Sequence, residues 1–129
     1  MKAEELNNGN YVYVDGKRFQ ILEKDSDGLG AKIKNATEET WVEFWAMDKI
    51  RLNRHILHRM GFSSHFTSDP QEFNPSMSFK LGEIELFAPN STLDDFYIND
   101  NGNMVRVESL HELQNRVLKI TGKELEVNI

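Results

Sequence analysis

Over the first part of the chain, apolar and polar residues alternate in short runs broken by turn residues; helical spacing appears only later. Tyr11–Val14 is apolar and β-prone. Asp15-Gly16 follows, a dipeptide suited to a type I′ turn, in which both central residues take positive φ. Arg18–Leu22 returns as a second strand, with Phe19 and Ile21 on one face. Asp25-Ser26-Asp27-Gly28 reads as a loop, and Ala31–Lys34 with Thr40–Ala46 reads as a second hairpin around Asn35–Glu39. A short segment near Ile50–Leu52 closes the set. Short strands with little helix predict a small, strongly bent β-barrel of SH3-like type.

The pattern changes at Asn53. Ile56, Leu57 and Met60 recur at helical spacing, and Gly61 follows, which predicts a short helix over Asn53–Met60 with a C′ glycine. Ser63–Pro75 is rich in small polar residues and reads as a loop. Ser78–Leu81 and Glu83–Phe87 predict a hairpin across Gly82; Phe96–Asn99 and Met104–Val107 predict another across Asn101-Gly102. Ser109 and Glu112 have capping-box spacing ahead of an amphipathic helix. Its stripe is Leu110, Leu113, Val117 and Ile120, and Gly122 ends it. Leu125–Val127 reads as a final strand. The expected fold is α+β: an N-terminal SH3-like small β-barrel over residues 1–52, then an antiparallel sheet packed with a C-terminal helix over residues 53–129, together one compact unit.

Composition narrows the functional classes. The chain has 129 residues, 39% hydrophobic and 28% charged, with no cysteine. Disulfides, thiolate metal sites and cysteine nucleophiles are excluded. No apolar run approaches the ~20 residues that span a bilayer, and the N-terminal stretch has no apolar signal core, so the expectation is a cytoplasmic protein without a membrane role. The net charge of −6 is uneven: residues 1–60 hold ten Lys/Arg and ten Asp/Glu, whereas residues 61–129 hold five and eleven. Duplex DNA binding rests on phosphate neutralisation by Lys/Arg, so duplex DNA is an unexpected partner. A basic protein partner suits the acidic half better.

Both ends of the chain carry a recurring pattern. Met1-Lys2-Ala3-Glu4-Glu5-Leu6-Asn7-Asn8-Gly9-Asn10-Tyr11-Val12 resembles an opening of the form MKAxELRxGNYV. Met60-Gly61-Phe62 resembles a central helix that ends in a Gly-Phe pair. His111-Glu112-Leu113-Gln114-Asn115 and Ile120-Thr121-Gly122-Lys123-Glu124-Leu125 resemble a close of the form HxLQNxxxxLTGxEL. The departures are Asn7, where a basic residue is common, and Ile120 in place of leucine. These patterns resemble those of a family of small uncharacterised proteins from gut bacteria, their phages and mobile elements. The resemblance implies phage or mobile-element ancestry, hence a host cytoplasm if phage-encoded, and an α+β fold; it implies no reaction.

No phosphate loop, dinucleotide fingerprint, nucleophile elbow or HExxH stands in the sequence. Gly28-Leu29-Gly30 is too short to cradle a phosphate and reads as a turn. His55 and His58 share a helix face and, with His65, have the ligand types for zinc, but Arg54 and Arg59 flank them and oppose a cation. Asp94-Asp95 lie on opposite sides of an extended chain, which spoils a shared acid–base site. Catalytic, cofactor and metal residues are therefore assigned to none, and no cofactor is expected. The candidates that remain are partner-binding. Trp41 and Trp45 share a predicted strand face, Tyr13 adds aromatic area, and His111, Gln114 and Asn115 flank the buried stripe of the last helix. They either fix the helix by hydrogen bonds or meet a partner. The expectation is a non-enzymatic accessory protein that binds a protein partner and modulates a host system through its acidic surface. The alternatives are a nucleic-acid-binding module using the barrel, with Lys17, Arg18, Lys32 and Lys34 beside the aromatics, and an enzyme of unrecognised type.

Overall fold

A computed structural model describes residues 1–69, 71–73 and 75–127. Its elements are two open antiparallel sheets and two α-helices. The first sheet has the order β1 (Tyr11–Val14), β2 (Lys17–Lys24), β3 (Gly30–Lys34), β4 (Glu39–Glu43). The second runs β5 (Ser63–Phe66), β6 (Met77–Leu81), β7 (Ile84–Ala88), β8 (Phe96–Asp100), β9 (Asn103–Val107). Helix α1 is Arg54–Arg59 and α2 is Leu110–Thr121. Contacts divide the chain into two units: Met1–Arg51 with Ser109–Asn115, and Leu52–Glu108 with the chain from Arg116 onward.

In the first unit the expected barrel does not form. The sheet stays open, with β1 and β4 as its two end strands. The reason lies after Glu43. The strand expected to run to Ala46 stops there, and Phe44–Ala46 coils into a 3-10 turn that buries Phe44. The chain beyond makes only isolated bridges, Tyr13 with Asp48 and Arg51 with Ser109, so no fifth strand closes the sheet near Ile50–Leu52.

Alternation sets the faces of this sheet. Val12, Phe19, Ile21, Ala31 and Ile33 are buried, and Leu6, Phe44 and Met47 cover them. Strict alternation would carry Glu23 to the same face as Ile21. A bulge between Ile21 and Glu23 prevents this: Ile21 pairs with Ile33, yet Glu23 pairs with Lys32. Asp15 and Gly16 turn the first hairpin with φ of 50° and 75°, as their sequence predicts.

In the second unit α1 starts at Asn53, whose Oδ1 accepts from Ile56 N at 2.8 Å. It ends in a full Schellman motif: Phe62 N donates to Leu57 O and Gly61 N to His58 O, at 3.0 and 3.1 Å. Gly61 has φ +99°, which a side chain would strain. Phe62 is thereby turned into the core beside Ile56, Leu57 and Met60. Phe79 and Phe96 meet edge to face at 5.6 Å, and Leu86, Ile98, Val107 and Val117 are also buried. Two expectations fail here. Part of the expected loop 63–75 is strand β5, a mostly polar edge held to β6 by backbone pairing and by the Ser63 and His65 side chains, without an apolar rhythm to betray it. Residues 70 and 74 of that expected loop lie outside the described residues. Leu125–Val127 forms no strand; Leu125 is buried without a ladder.

Candidate functional site

The helix-flanking candidates sit inside the first unit. Gln114 is buried and its amide holds two backbone groups: Oε1 accepts from Tyr11 N and Nε2 donates to Gly9 O, each at 3.0 Å. Asn115 does similar work one residue on. Its Nδ2 donates to Glu5 O at 3.1 Å, and its Oδ1 accepts from Asn10 Nδ2 at 2.8 Å. The start of α2 is thus clasped to the segment that leads into β1.

His111 is 2% exposed. Ser109 Oγ donates to Glu112 Oε1 at 3.0 Å, so its oxygen is left to accept from His111 Nδ1 at 3.1 Å. That places the ring proton on Nδ1. His111 Nε2 is buried without a hydrogen-bond partner, 3.9 Å from Glu5 Oε2. Burial holds the His111 pKa below its ordinary value; Glu112 and Glu5 oppose that shift, and Lys49 adds to it. The predicted capping pair, Ser109 and Glu112, meets side chain to side chain.

The aromatic candidates point outward. Trp41 is 44% exposed and Trp45 is 78% exposed; Leu29, whose carbonyl accepts from Phe44 N, is also exposed. The two tryptophans do not share a strand face, because Trp45 lies in the 3-10 turn that follows β4. Asp25 accepts from the Trp41 indole and Glu43 from the Trp45 indole. Gly30 makes the Trp41 position possible. A Cβ there would fall 2.4 Å from Val42 O and 2.8 Å from a Trp41 ring carbon, so the indole lies across a strand position that has no side chain.

The backbone of β4 is open on its outer side. At its ends Phe44 N donates to Leu29 O and Asn35 N donates to Glu38 O. Antiparallel bonding alternates between residues, so Val42 and Thr40 also bond inward to β3. Glu39, Trp41 and Glu43 therefore turn their N–H and C=O groups to the free edge. The same three carry exposed side chains. Sequence reasoning found the two tryptophans but not this edge, and it missed Gly30, Asp25, Glu39 and Glu43. The signal was a lone glycine paired against a tryptophan-containing strand.

Tyr13 shares the outer face with Trp41, but the two sit on opposite end strands, about 14 Å apart across the sheet at ordinary strand spacing and further displaced along it, because Tyr13 pairs with Arg18 whereas Trp41 aligns through Lys32 with Glu23. Arg18, Lys32 and Lys34 lie on that face between them, whereas Lys17 has the opposite parity. Glu23 and Glu39 pair with Lys32 and Lys34, which dilutes the basic character.

Elsewhere, His58 Nε2 meets Ser64 Oγ at 3.1 Å and His65 Nε2 meets Ser78 Oγ at 3.2 Å. Among the described residues no group of three or more His, Cys, Asp or Glu is placed to hold a metal ion. Asp95 is bound to Arg106 at 3.0 Å. A concavity of about 310 Å³ in the second unit has an apolar lining from Met60, Leu81, Ile84, Val117 and Leu125, with Glu83, Glu124 and Glu126 also around it. Among the described residues no helix is long and apolar enough to cross a membrane. No family model, curated protein or solved structure matches the chain.

Proposed function

We propose that this protein acts without catalysis, by binding another protein through the outer edge of its first sheet. The observation that carries this reading is the exposure of Trp41 and Trp45 beside an unpaired strand edge. Large indoles in water, clustered and set on a rigid element, are the residue type that dominates protein interfaces. The resemblance of both chain ends adds the biological setting: an accessory protein of a phage or mobile element that modulates a host system in the cytoplasm. The acidic balance of residues 61–129 also favours a basic partner.

A second reading rests on Arg18, Lys32 and Lys34 sharing a face with Tyr13 and Trp41. Such a face suits stacked bases with phosphates alongside. The glutamates paired to both lysines count against it.

The test is affinity purification from host lysate, followed by reconstitution with the recovered protein. A stoichiometric complex that is lost in Trp45→Ala supports the proposal. Nucleic acid recovered alone, or a complex indifferent to Trp41→Ala and Trp45→Ala, overturns it.

A further inference from the structure

We infer that the partner adds a strand to β4, and that the added segment is basic. This deepens the protein-binding reading and rests on it. Three observations combine. First, Glu39, Trp41 and Glu43 direct their backbone N–H and C=O groups away from the sheet, as worked out from the bonds at both ends of the strand. A strand end of this kind is a template for main-chain pairing by an extended segment. Second, the edge is rich in acid: Glu38, Glu39 and Glu43 are exposed along it, and although Lys34 of β3 pairs with Glu39, Glu43 pairs with Gly30, which brings no cation; Asp25 and Asp27 are exposed in the neighbouring loop. Third, Trp41 in β4 and Trp45 just past its end are exposed.

Charge decides the occupant. Two copies of this chain pairing antiparallel about Trp41 would set Glu39 of each opposite Glu43 of the other. Like charges directly opposite are destabilising, so this register of self-pairing is disfavoured. A segment with Lys or Arg opposite Glu39 and Glu43 meets the reverse situation. Its middle residue then lies opposite Trp41, beside the Cβ end of that side chain, since the indole itself extends inward over Gly30 to Asp25. The fitting sequence is basic–x–aliphatic–x–basic in extended form, because alternate residues of a strand share one face.

The probe is a fluorescein-labelled peptide, Gly-Ser-Lys-Thr-Val-Thr-Lys-Ser-Gly, titrated with the full-length chain in anisotropy. Two controls accompany it: the same peptide with both lysines replaced by glutamate, and the lysine peptide N-methylated at the amides of Lys, Val and Lys. Both controls are expected to bind about tenfold more weakly or worse. The double variant Glu39→Lys/Glu43→Lys, checked for a wild-type circular dichroism spectrum, should reverse the preference and favour the glutamate peptide. If that variant does not hold the fold, Glu39→Gln/Glu43→Gln replaces it and should erase the preference.

Equal binding of the N-methylated peptide overturns strand addition, because charge alone then explains the affinity. An unchanged preference in the charge variants overturns the role of the glutamates. Absence of binding by any peptide overturns this inference while a Trp45-dependent protein complex keeps the broader reading standing. Loss of that complex's dependence on Trp41 and Trp45 removes both.

Discussion

Gln114→Leu tests the clasp between α2 and the chain entering β1. The side chain of Gln114 is hydrogen-bonded to Tyr11 N and Gly9 O, both at 3.0 Å, and the residue is 8% exposed. Leucine has a similar length and no polar atoms. It would leave one backbone donor and one backbone acceptor without their partner. Each buried orphan costs about 1–3 kcal/mol. Both bonds are only part-buried, so water recovers some of the loss, and about 2–3 kcal/mol in total is expected. Urea denaturation should report this as a lower midpoint with an unchanged slope. Hydrogen exchange should report it locally, as lost protection at the Tyr11 amide. Gln114→Glu gives a sharper check. At neutral pH its carboxylate still accepts from Tyr11 N but faces Gly9 O with no donor. When protonated it regains one O–H, so the deficit of this variant should shrink as pH falls towards 4. If Tyr11 protection survives in Gln114→Leu and stability moves by less than about 0.5 kcal/mol, the clasp is ornamental and the reasoning fails.

Three further outcomes follow from the same coordinates. Leu113→Ala empties a fully buried site and should cost about 2–5 kcal/mol, measured by urea denaturation; a loss no larger than that of an exposed Lys119 reversal would mean the helix phase is misread. Gly30→Ala pushes a Cβ into Val42 O and the Trp41 ring, so it should lower stability and redshift Trp41 emission; an unchanged spectrum and midpoint refute the close approach. His111 has a folded pKa below its ordinary 6.5 because it is buried. The unfolded chain then binds more protons as pH drops below about 6.5, and stability falls there with a slope of up to about 1.4 kcal/mol per pH unit until the folded pKa is passed. Above about pH 6.5 the contribution is flat. His111→Gln should remove the slope just below pH 6.5, and an identical slope in the variant assigns it to other groups.

Much of the fold was legible because its signals are local. Asp15-Gly16 and Asn101-Gly102 turn where their positive φ values allow, and Met60-Gly61-Phe62 ends α1 through bonds made within one turn. The elements that escaped depend on distant partners. β5 carries Ser63-Ser64-His65-Phe66, with no apolar alternation, and exists only because β6 offers its edge. The barrel failed for a similar reason. Trp41 to Trp45 alternates like a strand, and nothing local shows that Phe44 turns inward to fill the core under Leu6, Phe19 and Met47. At the candidate site the tryptophans were visible as residues, but their setting was not. Which backbone groups face the open edge follows from register, and register is set by pairing across the sheet.

The clasp also bears on how the resemblance of the chain ends is to be used. Gly9, Asn10 and Tyr11 belong to the opening pattern, and His111, Gln114 and Asn115 to the closing one. These residues bond to one another: Tyr11 and Gly9 to Gln114, Asn10 to Asn115, with Glu5 bonding Asn115 and lying beside His111. Two patterns about a hundred residues apart in sequence thus form one local structure. The side-chain amides of Asn10, Gln114 and Asn115 are occupied internally, so these residues explain how the first unit is held rather than what it does. A functional search guided by the patterns would mutate Gln114 and find loss of activity through unfolding. The proposed binding edge lies outside both patterns, on Trp41, Trp45 and the glutamates between and beside them. Variants there should leave the urea midpoint nearly unchanged while altering binding, since exposed side chains contribute little to stability. That separation of stability from binding distinguishes an interaction edge from one more structural motif.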